Sequence, residues 1–399
     1  AEGISDIDAV VYVPPIDADA NTTERDVEYV RTFFVRHHGA SPKITTTDHV
    51  AAHLAFERAV HGSGAAVLMV GRTRAVHSSS ISTSYELDSE FAVVRFVETC
   101  ARFIGLDRGR IHHLENMARF GEPGFASSFR ELLDSDHELE RISTEISAFS
   151  GESERRAEDP LGKVHYDLAA SLYEVLSDAI VSLLRSVLPG PSQLPVALCG
   201  GVFQSWRLND AIAAAFPNTI FAVSFAPGNP SCAIGGPLAF TGQLPTKPLT
   251  PFLGPRYDRN EVKVVLDNCK ARYALHAHKD AIDLTCEALE AGKMVGWFSG
   301  PCEFGYRALG ARSVFANPAN AYACDNLSSY LKRRPSYFAY AVAINEDRCA
   351  DDGIRSPYLS RSTQLSEYFG DSPVRLQTVS KSEPSGLHDL LDAFHKRTG

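Results

Sequence analysis

The sequence predicts an α/β protein, and three observations support that class. Hydrophobic residues make up 44% of the 399 positions and are spread over the whole chain, which is enough for a large buried core. Residues 159–246 alternate helical and strand-like apolar segments, and residues 250–399 repeat the alternation after a proline-rich boundary at 243–251. Such alternation implies a sheet whose ligands bind at the carboxyl ends of its strands.

Each element follows from its periodicity and its flanking residues. Strands are predicted where apolar residues run between turn-forming residues, at 7–13, 67–70, 196–199, 220–225 and 294–298. Helices are predicted where apolar residues recur every three to four positions, at 24–37, 168–187, 206–216 and 280–291. Asn21, Thr22 and Thr23 are the expected cap of the first helix. The proline-rich boundaries predict segments with limits at 1–158, 159–246 and 250–399.

The composition excludes several classes of protein. The 39 Lys and Arg residues against 49 Asp and Glu residues give a net charge of −10, which argues against a general nucleic-acid binder. No apolar run reaches the roughly 18–20 residues that a membrane span needs, and residues 1–6 lack the pattern of a signal peptide. The eight cysteines contain no C-x-x-C pair, which predicts reduced thiols in a cytoplasmic protein. The oligomeric state does not follow from the residues.

The most informative stretch is 300–334, directly after the predicted strand 294–298. It contains five cationic side chains against two carboxylates, a local charge of +3 in a chain whose total is −10. Such a reversal of sign predicts a pocket for an anion such as phosphate. Arg307 stands among apolar and aromatic residues, which favours a role in that pocket. Arg333 and Arg334 are equally compatible with a solvated basic surface.

Two weaker motifs lie earlier in the chain. Gly200 and Gly201 follow a strand and precede a helix, a pattern that lets a nucleotide approach the backbone but that also forms simple turns. His49 and His53 share one helix face at i and i+4, a spacing that can hold a divalent metal and that is also common without one. No Glu follows the first histidine, so a zinc protease is not predicted.

In their order along the chain, these segments resemble the O-carbamoyltransferases of the nodulation-protein U and cephalosporin hydroxymethyl carbamoyltransferase family. The most specific stretch is 305–313, Gly-Tyr-Arg-Ala-Leu-Gly-Ala-Arg-Ser, where the family has a near-identical run with Pro at the place of Tyr306. The segments in family order are 200–202, 228–236, 295–298 and 375–379. The resemblance extends over nearly the whole chain.

The resemblance implies an actin-like ATPase (ASKHA-type) domain followed by a YrdC-like α/β domain. In that family, ATP and carbamoyl phosphate give a carbamoyl-adenylate in the YrdC-like domain. The actin-like domain then passes the carbamoyl group to a hydroxyl of a small molecule beside a divalent metal, here iron or magnesium. The resemblance therefore implies antibiotic or other natural-product biosynthesis, with no nucleic acid or membrane as partner.

The resemblance also assigns roles to individual residues. Arg307 and Lys332 match the family's carbamoyl-adenylate contacts, and Arg312 and Arg375 are weaker matches to its ligand contacts. The residues that match its nucleotide-contacting loop are Gly200, Gly201 and Asn209. The residues expected at the metal are His49, His53 and Asn229.

The chain also departs from the family pattern. The family has Asp-Gly where Gly71 and Arg72 stand, and an Asp where Asn229 stands, so the affinity for a hard dication should fall. The family's catalytic histidine is expected upstream of Ala1. Two other functions stay open from the sequence: threonylcarbamoyl transfer to transfer RNA, and a degenerate actin-like nucleotide-binding protein without transferase activity.

Overall fold

The structure is a computed structural model that describes residues 7, 9–16, 18–72, 74–79, 85–88, 92–107, 112–135, 141–188, 195–349 and 354–399. The chain forms two compact units. The first comprises Ala1–Val94, Leu184–Gln204 and Phe216–Leu249, and the second comprises Arg95–Leu183, Ser205–Ala215 and Thr250–Gly399. The domain limits expected at 158, 246 and 250 stay a prediction.

Helices and strands alternate along the chain. The amino-terminal elements are β1 (Ala9–Tyr12), α1 (Ala20–His38), β2 (Lys43–Thr46), α2 (His49–His61), β3 (Ala66–Val70), β4 (Ala75–Ser78), β5 (Tyr85–Asp88) and α3 (Val93–Phe103). The central elements are α4 (Leu114–Met117), α5 (Ala126–Asp134), α6 (Ile142–Ser150), α7 (Lys163–Val187), β6 (Val196–Cys199), α8 (Trp206–Ala215), β7 (Phe221–Val223) and α9 (Cys232–Thr241). The carboxyl-terminal elements are α10 (Arg259–Asn268), α11 (His278–Glu290), β8 (Val295–Phe298), β9 (Arg312–Phe315), α12 (Ala321–Asp325), β10 (Ala341–Asn345), β11 (Arg361–Thr363), α13 (Ser366–Phe369), β12 (Val374–Val379) and α14 (Leu387–Thr398).

The first unit is built on a five-stranded sheet with the order β5-β4-β3-β6-β7. β3 pairs in parallel with β6, which pairs in parallel with β7, whereas β4 is antiparallel to both β3 and β5. The middle strands β3 and β6 carry fully buried Val67, Leu68, Ala197 and Leu198, as expected for strands covered on both faces. The predicted α/β class is confirmed.

Helices α2 and α9 of the first unit pack closely against each other. A Cβ atom at Gly235 of α9 would lie 1.9 Å from the carbonyl oxygen of Ala52 in α2, so only glycine permits this approach. The first turn of α2 is fixed because the carboxylate of Asp48 accepts a 2.8 Å hydrogen bond from the amide of Ala51. This packing brings the amino-terminal turns of both helices into one buried region.

The second unit contains two smaller sheets. β12 lies between β10, to which it is parallel, and β11, to which it is antiparallel, while β8 and β9 form an antiparallel pair. All six residues of β12 are buried. The core beside this strand consists of Ile282, Cys286, Val379, Leu387 and Leu390, contributed by α11, β12 and α14. The sheet of β10, β12 and β11, together with α11 and α14, forms the packed part of this unit.

Element positions agree with the sequence prediction to within a few residues, except at the start of α1. That helix begins at Ala20, and its cap is Asp19, whose carboxylate accepts a 2.6 Å hydrogen bond from the amide of Thr22. The expected cap at residues 21–23 is therefore wrong. Asp19 is the cap, because its carboxylate already accepts the hydrogen bond from the amide of Thr22. Among the described residues, no helix has both the length and the apolar composition needed to cross a bilayer.

Candidate functional site

Two histidines of α2 face each other in the core of the first unit. Nε2 of His49 lies 3.2 Å from Nε2 of His53, and the ring centroids are 4.8 Å apart. The two residues are only 9% and 2% exposed. They come together because positions i and i+4 of a helix lie on the same face, one turn apart. The structure thus brings together the pair that the sequence predicted.

The other ring nitrogen of each histidine is held by an oxygen atom. Nδ1 of His49 lies 2.9 Å from the carbonyl oxygen of Pro14, so this nitrogen carries the hydrogen and donates it. Nδ1 of His53 lies 2.9 Å from Oγ of Ser231. In both rings Nδ1 is therefore occupied, and Nε2 is the nitrogen directed at the neighbouring ring.

A cysteine completes this cluster. The ligand atoms of His49, His53 and Cys232 all lie within 4.8 Å of one another, and the three residues are buried. Among the described residues, no Asp or Glu belongs to the cluster. Glu57, one turn after His53, accepts a 2.8 Å hydrogen bond from the hydroxyl of Ser224 and faces Nε2 of His61 at 3.4 Å.

Burial changes the pKa of two members of the cluster, His53 and Cys232. Burial, and then the neighbouring His49 ring, lowers the pKa of His53 to about 3. Burial raises the pKa of the Cys232 thiol to about 11. A buried set of nitrogen and sulfur donors, with each Nδ1 held by an oxygen atom, fits a divalent metal ion.

The sequence prediction missed Cys232 and named Asn229 instead. Asn229 is exposed in the short turn Asn229–Ser231, just before α9, and its contact with a metal stays a prediction. The sequence predicts reduced thiols, and none of the eight cysteines forms a disulfide in the structure. The sequence did contain an indication of Cys232 as a ligand: it lies three residues after Asn229, at the start of α9.

The two glycines after β6 have different roles in the structure. Gly200 has a φ of 123°, and a Cβ atom there would lie 2.0 Å from the carbonyl oxygen of Val70. Its amide also donates a 2.6 Å hydrogen bond to the carbonyl oxygen of Pro227. Gly201 is exposed, and the nearest atom that a Cβ would meet is Nε2 of Gln204 at 3.9 Å. Packing thus explains Gly200 but not Gly201, and nucleotide binding by either stays a prediction.

Asn209, the third residue predicted at the nucleotide, lies in α8 of the second unit. Its side chain is buried and donates a 2.9 Å hydrogen bond to the carbonyl oxygen of Ser360. The adjacent Asp210 binds Nε of Arg361 at 2.5 Å and accepts a 3.2 Å hydrogen bond from the amide of Ser362. These bonds hold α8 against β11. A nucleotide contact of Asn209 stays a prediction.

The arginine-containing loop at 299–313 is organised by one carboxylate. Oε1 of Glu303 accepts hydrogen bonds from the amides of Leu309, Ala311 and Arg312 at 2.9, 2.6 and 3.2 Å. Three amides on one oxygen fix the turn on which Arg307 stands. We call residues 299–313 the arginine loop.

Arg312 also holds the arginine loop together. Its Nη1 donates to the carbonyl oxygens of Ser299, Gly300 and Ala311 at 3.2, 3.0 and 2.7 Å. The guanidinium carbon lies 3.5 Å from the ring centroid of Phe298. Nη2 is buried and has no hydrogen-bond partner among the described residues. The contacts with the three carbonyl oxygens and with Phe298 give Arg312 a structural role. A ligand contact of Arg312 stays a prediction.

Arg307 lies in a strongly cationic part of the second unit. Burial lowers the pKa of its guanidinium to about 9, and the charges of Arg375 and Arg334 add to this effect while Glu115 opposes it. The side chain is half-buried, whereas that of Lys332 is exposed just after the turn Asn326–Leu331. The charges that act on Arg307 are thus those of Arg375, Arg334 and Glu115, and a role of Lys332 beside Arg307 stays a prediction.

Arg375 lies on β12, and its side chain is held by other groups of the protein. Its Nη1 donates a 3.2 Å hydrogen bond to the carbonyl oxygen of Leu359, and its Nη2 forms an ion pair with the carboxylate of Glu115. Both partners of the ion pair are almost fully buried, at 7% and 4% exposure. Sequence reasoning missed Glu115, which precedes Arg375 by 260 positions. A ligand contact of Arg375 stays a prediction.

Glu383, near the arginine loop, predicts a pH dependence of stability. Burial raises its pKa to about 7, and the charges of Glu346 and Glu303 add to this rise. The folded state then binds more protons than the unfolded state between about pH 4.5 and 7, so stability is highest below this range and falls as the pH rises through it. Relative to Glu383→Gln, the wild type should lose up to about 3 kcal/mol of unfolding free energy between about pH 5 and 8. Urea unfolding at several pH values measures this difference, and parallel profiles would contradict it.

The comparisons with known proteins agree with the motifs. Residues 286–399 match the family model described as carbamoyltransferase C-terminus. This part includes the whole arginine loop, Lys332 and Arg375. This carboxyl-terminal part of the chain is therefore similar to carbamoyltransferases. The resemblance drawn from the sequence motifs is thereby confirmed.

Two curated relatives of this family illustrate the similarity. Nodulation protein NolO of Bradyrhizobium diazoefficiens is 27% identical over 331 residues, which cover 76% of this chain and 60% of that protein. The 3′-hydroxymethylcephem-O-carbamoyltransferase of Amycolatopsis lactamdurans is 34% identical over 122 residues, which cover 28% of this chain and 23% of that protein. Against Nodulation protein NolNO of Sinorhizobium fredii, the chain covers 50% of the relative. The chain therefore spans about half of the length of the curated relatives.

Among solved structures, the activator of the 2-hydroxyisocaproyl-CoA dehydratase from Clostridium difficile, with bound ADPNP, is 15% identical to this chain. The similar region covers 60% of this chain and 74% of the other, with a TM-score of 0.34. A likeness of this size carries no argument about ligands. The actin-like and YrdC-like assignments of the two parts rest on the family resemblance.

Proposed function

We propose that the protein is an ATP-dependent O-carbamoyltransferase that moves a carbamoyl group from carbamoyl phosphate, through a carbamoyl-adenylate, to a hydroxyl of a small molecule. The observation that carries this proposal is the surroundings of Arg307. A half-buried guanidinium, on a loop fixed by Glu303, lies where the charges of Arg375 and Arg334 add to its own. Clustered cations of this kind stabilise polyanionic substrates and the charge that develops during phosphoryl chemistry.

The substrates match the charge of this region. Carbamoyl phosphate and ATP are both polyanions, and Glu115 is the one carboxylate whose charge acts appreciably on Arg307 among the described residues. We infer that Arg307 and Lys332 bind the carbamoyl and phosphate oxygens, with Arg312 and Arg375 as further contacts. Arg307 offers a planar fork of donors, whereas Lys332 offers a compact charge on a flexible stem. In this scheme water cleaves carbamoyl phosphate to carbamate and phosphate, and a carbamate oxygen then attacks the α-phosphorus of ATP, which forms the adenylate and releases pyrophosphate.

The transfer step is assigned to the first unit. We infer that His49 and His53 hold a divalent metal, with Asn229 as an oxygen ligand, and that Gly200 and Gly201 approach the nucleotide. The metal, when bound, supplies a Lewis acid for the acceptor oxygen and the carbamoyl carbonyl. The residues of this chain fix the histidine rings, because Pro14 and Ser231 hold their Nδ1 atoms. A natural-product alcohol as acceptor and a cytoplasmic location belong to the same proposal.

Replacing Arg307 by alanine tests this function. With the full-length protein, ATP and carbamoyl phosphate, Arg307→Ala should lower the rate of carbamoyl-adenylate formation by about 100-fold or more, because a donor at the reacting charge is lost. Arg307→Lys should recover only part of the rate, since lysine keeps the charge but not the planar fork. Mass spectrometry of the adenylate, together with pyrophosphate release that depends on carbamoyl phosphate, gives the measurement.

The control for this test is Arg272→Ala, which removes an exposed arginine of the same unit. Its rate should equal that of the wild type. Full adenylate formation by Arg307→Ala would refute the assignment. If the wild type binds ATP in a calorimeter but ignores carbamoyl phosphate, the protein is a nucleotide binder without transferase activity. Tight RNA binding that weakens steeply with salt would instead support threonylcarbamoyl transfer to transfer RNA.

A further inference from the structure

We propose that His49, His53 and Cys232 form a three-ligand site for a borderline divalent transition metal of the Zn²⁺, Fe²⁺ and Co²⁺ class, with the cysteine bound as thiolate. The inference rests on the proposed function for the presence of a metal and adds its class and its third ligand. It decides between the two metals expected from the sequence, because magnesium prefers an all-oxygen set of ligands.

The distance between the two histidines suits a shared metal ion. Two imidazole nitrogens bound to one tetrahedral ion, each at about 2.0–2.1 Å, lie about 3.3 Å apart. The Nε2 atoms of His49 and His53 are 3.2 Å apart. Both rings are already oriented, since Nδ1 of His49 donates to Pro14 at 2.9 Å and Nδ1 of His53 contacts Ser231 at 2.9 Å. Bound oxygen partners at Nδ1 are typical of metal-binding histidines.

Two buried thiols lie near His53, and only one of them can share a metal with both histidines. Cys199 Sγ lies 3.4 Å from Nδ1 of His53, the nitrogen that faces Ser231, and 3.5 Å from the carbonyl oxygen of Pro227. Cys232 has its sulfur within 4.8 Å of the ligand atoms of both histidines. Among the described residues, Cys232 and not Cys199 lies close enough to both histidines to share an ion with them, and we infer that Cys232 is the third ligand.

The chemistry of the surroundings also favours a borderline metal. Neither Gly71 and Arg72, directly after β3, nor Asn229, in the later loop, offers a carboxylate to this region. The nearby Glu57 is engaged by Ser224 and faces His61. Two imidazoles and a thiolate are nitrogen and sulfur ligands, which suit zinc-class metals rather than magnesium.

Binding of the metal releases one proton and changes no oxidation state. The Cys232 S–H bond breaks, its sulfur forms the bond to the metal, and its proton passes to solvent. Nε2 of His53 presents its lone pair, so the ring hydrogen resides on Nδ1 and is donated to Oγ of Ser231.

Cobalt substitution tests the site independently of carbamoyl transfer. We would titrate the full-length, metal-free protein with Co²⁺ under a phosphine reductant and record the near-ultraviolet sulfur-to-cobalt charge-transfer band. The wild type should show this band, and excess Mg²⁺ should not remove it. Cys232→Ser should abolish the band and weaken Co²⁺ binding by at least about tenfold. Cys199→Ser is the matched control: it alters a buried thiol near the same histidine and should keep the band.

Several results would overturn the proposal. These are a folded wild type that binds no Co²⁺, one that binds it without a charge-transfer band, and a band that survives Cys232→Ser but disappears in Cys199→Ser. Circular dichroism and thermal unfolding of each variant show that the fold is retained. Because no step of the assay uses ATP or carbamoyl phosphate, failure of the proposed carbamoyl transfer would leave these spectra unchanged, and the two failures are distinguishable.

Discussion

Glu115→Gln should lower the free energy of unfolding by about 3 kcal/mol or more. The carboxylate pairs with the guanidinium of Arg375 where both residues are almost fully buried. Burial already lowers the pKa of Arg375, and the charge of Glu115 opposes that effect. Without the carboxylate, the buried guanidinium loses the opposite charge that offsets the effect of burial. Removal of one partner from a buried ion pair costs far more than the net contribution of the intact pair.

Urea unfolding of the wild type and the variant measures this effect. The control is Glu174→Gln in the same unit, which removes one of the two ion pairs of Arg130 and leaves that with Asp178; the side chains of Glu174 and Arg130 are 39% and 42% exposed. Solvent screens that pair, so the control should lose less than about 1 kcal/mol. Equal losses in the two variants would show that the burial of Glu115 is not what makes its ion pair important.

Gly200→Ala should also destabilise the protein by about 3 kcal/mol or more. Two effects act together at this position: a φ of 123° is unfavourable for any residue with a Cβ atom, and that atom would lie 2.0 Å from the carbonyl oxygen of Val70. Relief of the contact requires β3 and the turn after β6 to separate, and these strands form the centre of the sheet. We therefore expect a large loss of thermal stability.

Gly201→Ala is the control at the neighbouring position. A Cβ atom there meets only Nε2 of Gln204 at 3.9 Å, so stability should change by less than about 1 kcal/mol. If the nucleotide approaches this backbone, as proposed, Gly201→Ala should weaken ATP binding in a calorimeter while the melting temperature stays the same. A stable variant with unchanged ATP affinity would exclude Gly201 from the nucleotide site, and a stable Gly200→Ala protein would contradict the packing argument.

The two glycines show how far sequence reasoning reached at this turn. The sequence predicted a functional Gly-Gly pair with the same role at both positions. The structure gives Gly200 a steric reason that involves Val70, a residue 130 positions earlier in the chain. Contacts at such a separation are not encoded in local spacing, because they depend on how β3 and β6 pair.

The arginines show the same distinction in the second unit. Charge reversal in the stretch 300–334 identified a cationic region without any structure. The structure then separated its members: Arg312 donates to three carbonyl oxygens of its own loop, whereas burial and Arg375 act on Arg307. Residue type alone does not distinguish these roles, since both are arginines in one motif.

By itself, the sequence determined the α/β class, the resemblance to carbamoyltransferases and the histidine pair, because each depends on local periodicity or on a short motif. The spacing of His49 and His53 is sufficient to place them on one helix face. Only the tertiary structure decided that Cys232 joins them and that Glu115 pairs with Arg375, partners 179 and 260 positions apart. The physical reason is that such pairs form through the packing of distant segments, and burial then sets the charge and reactivity of each group.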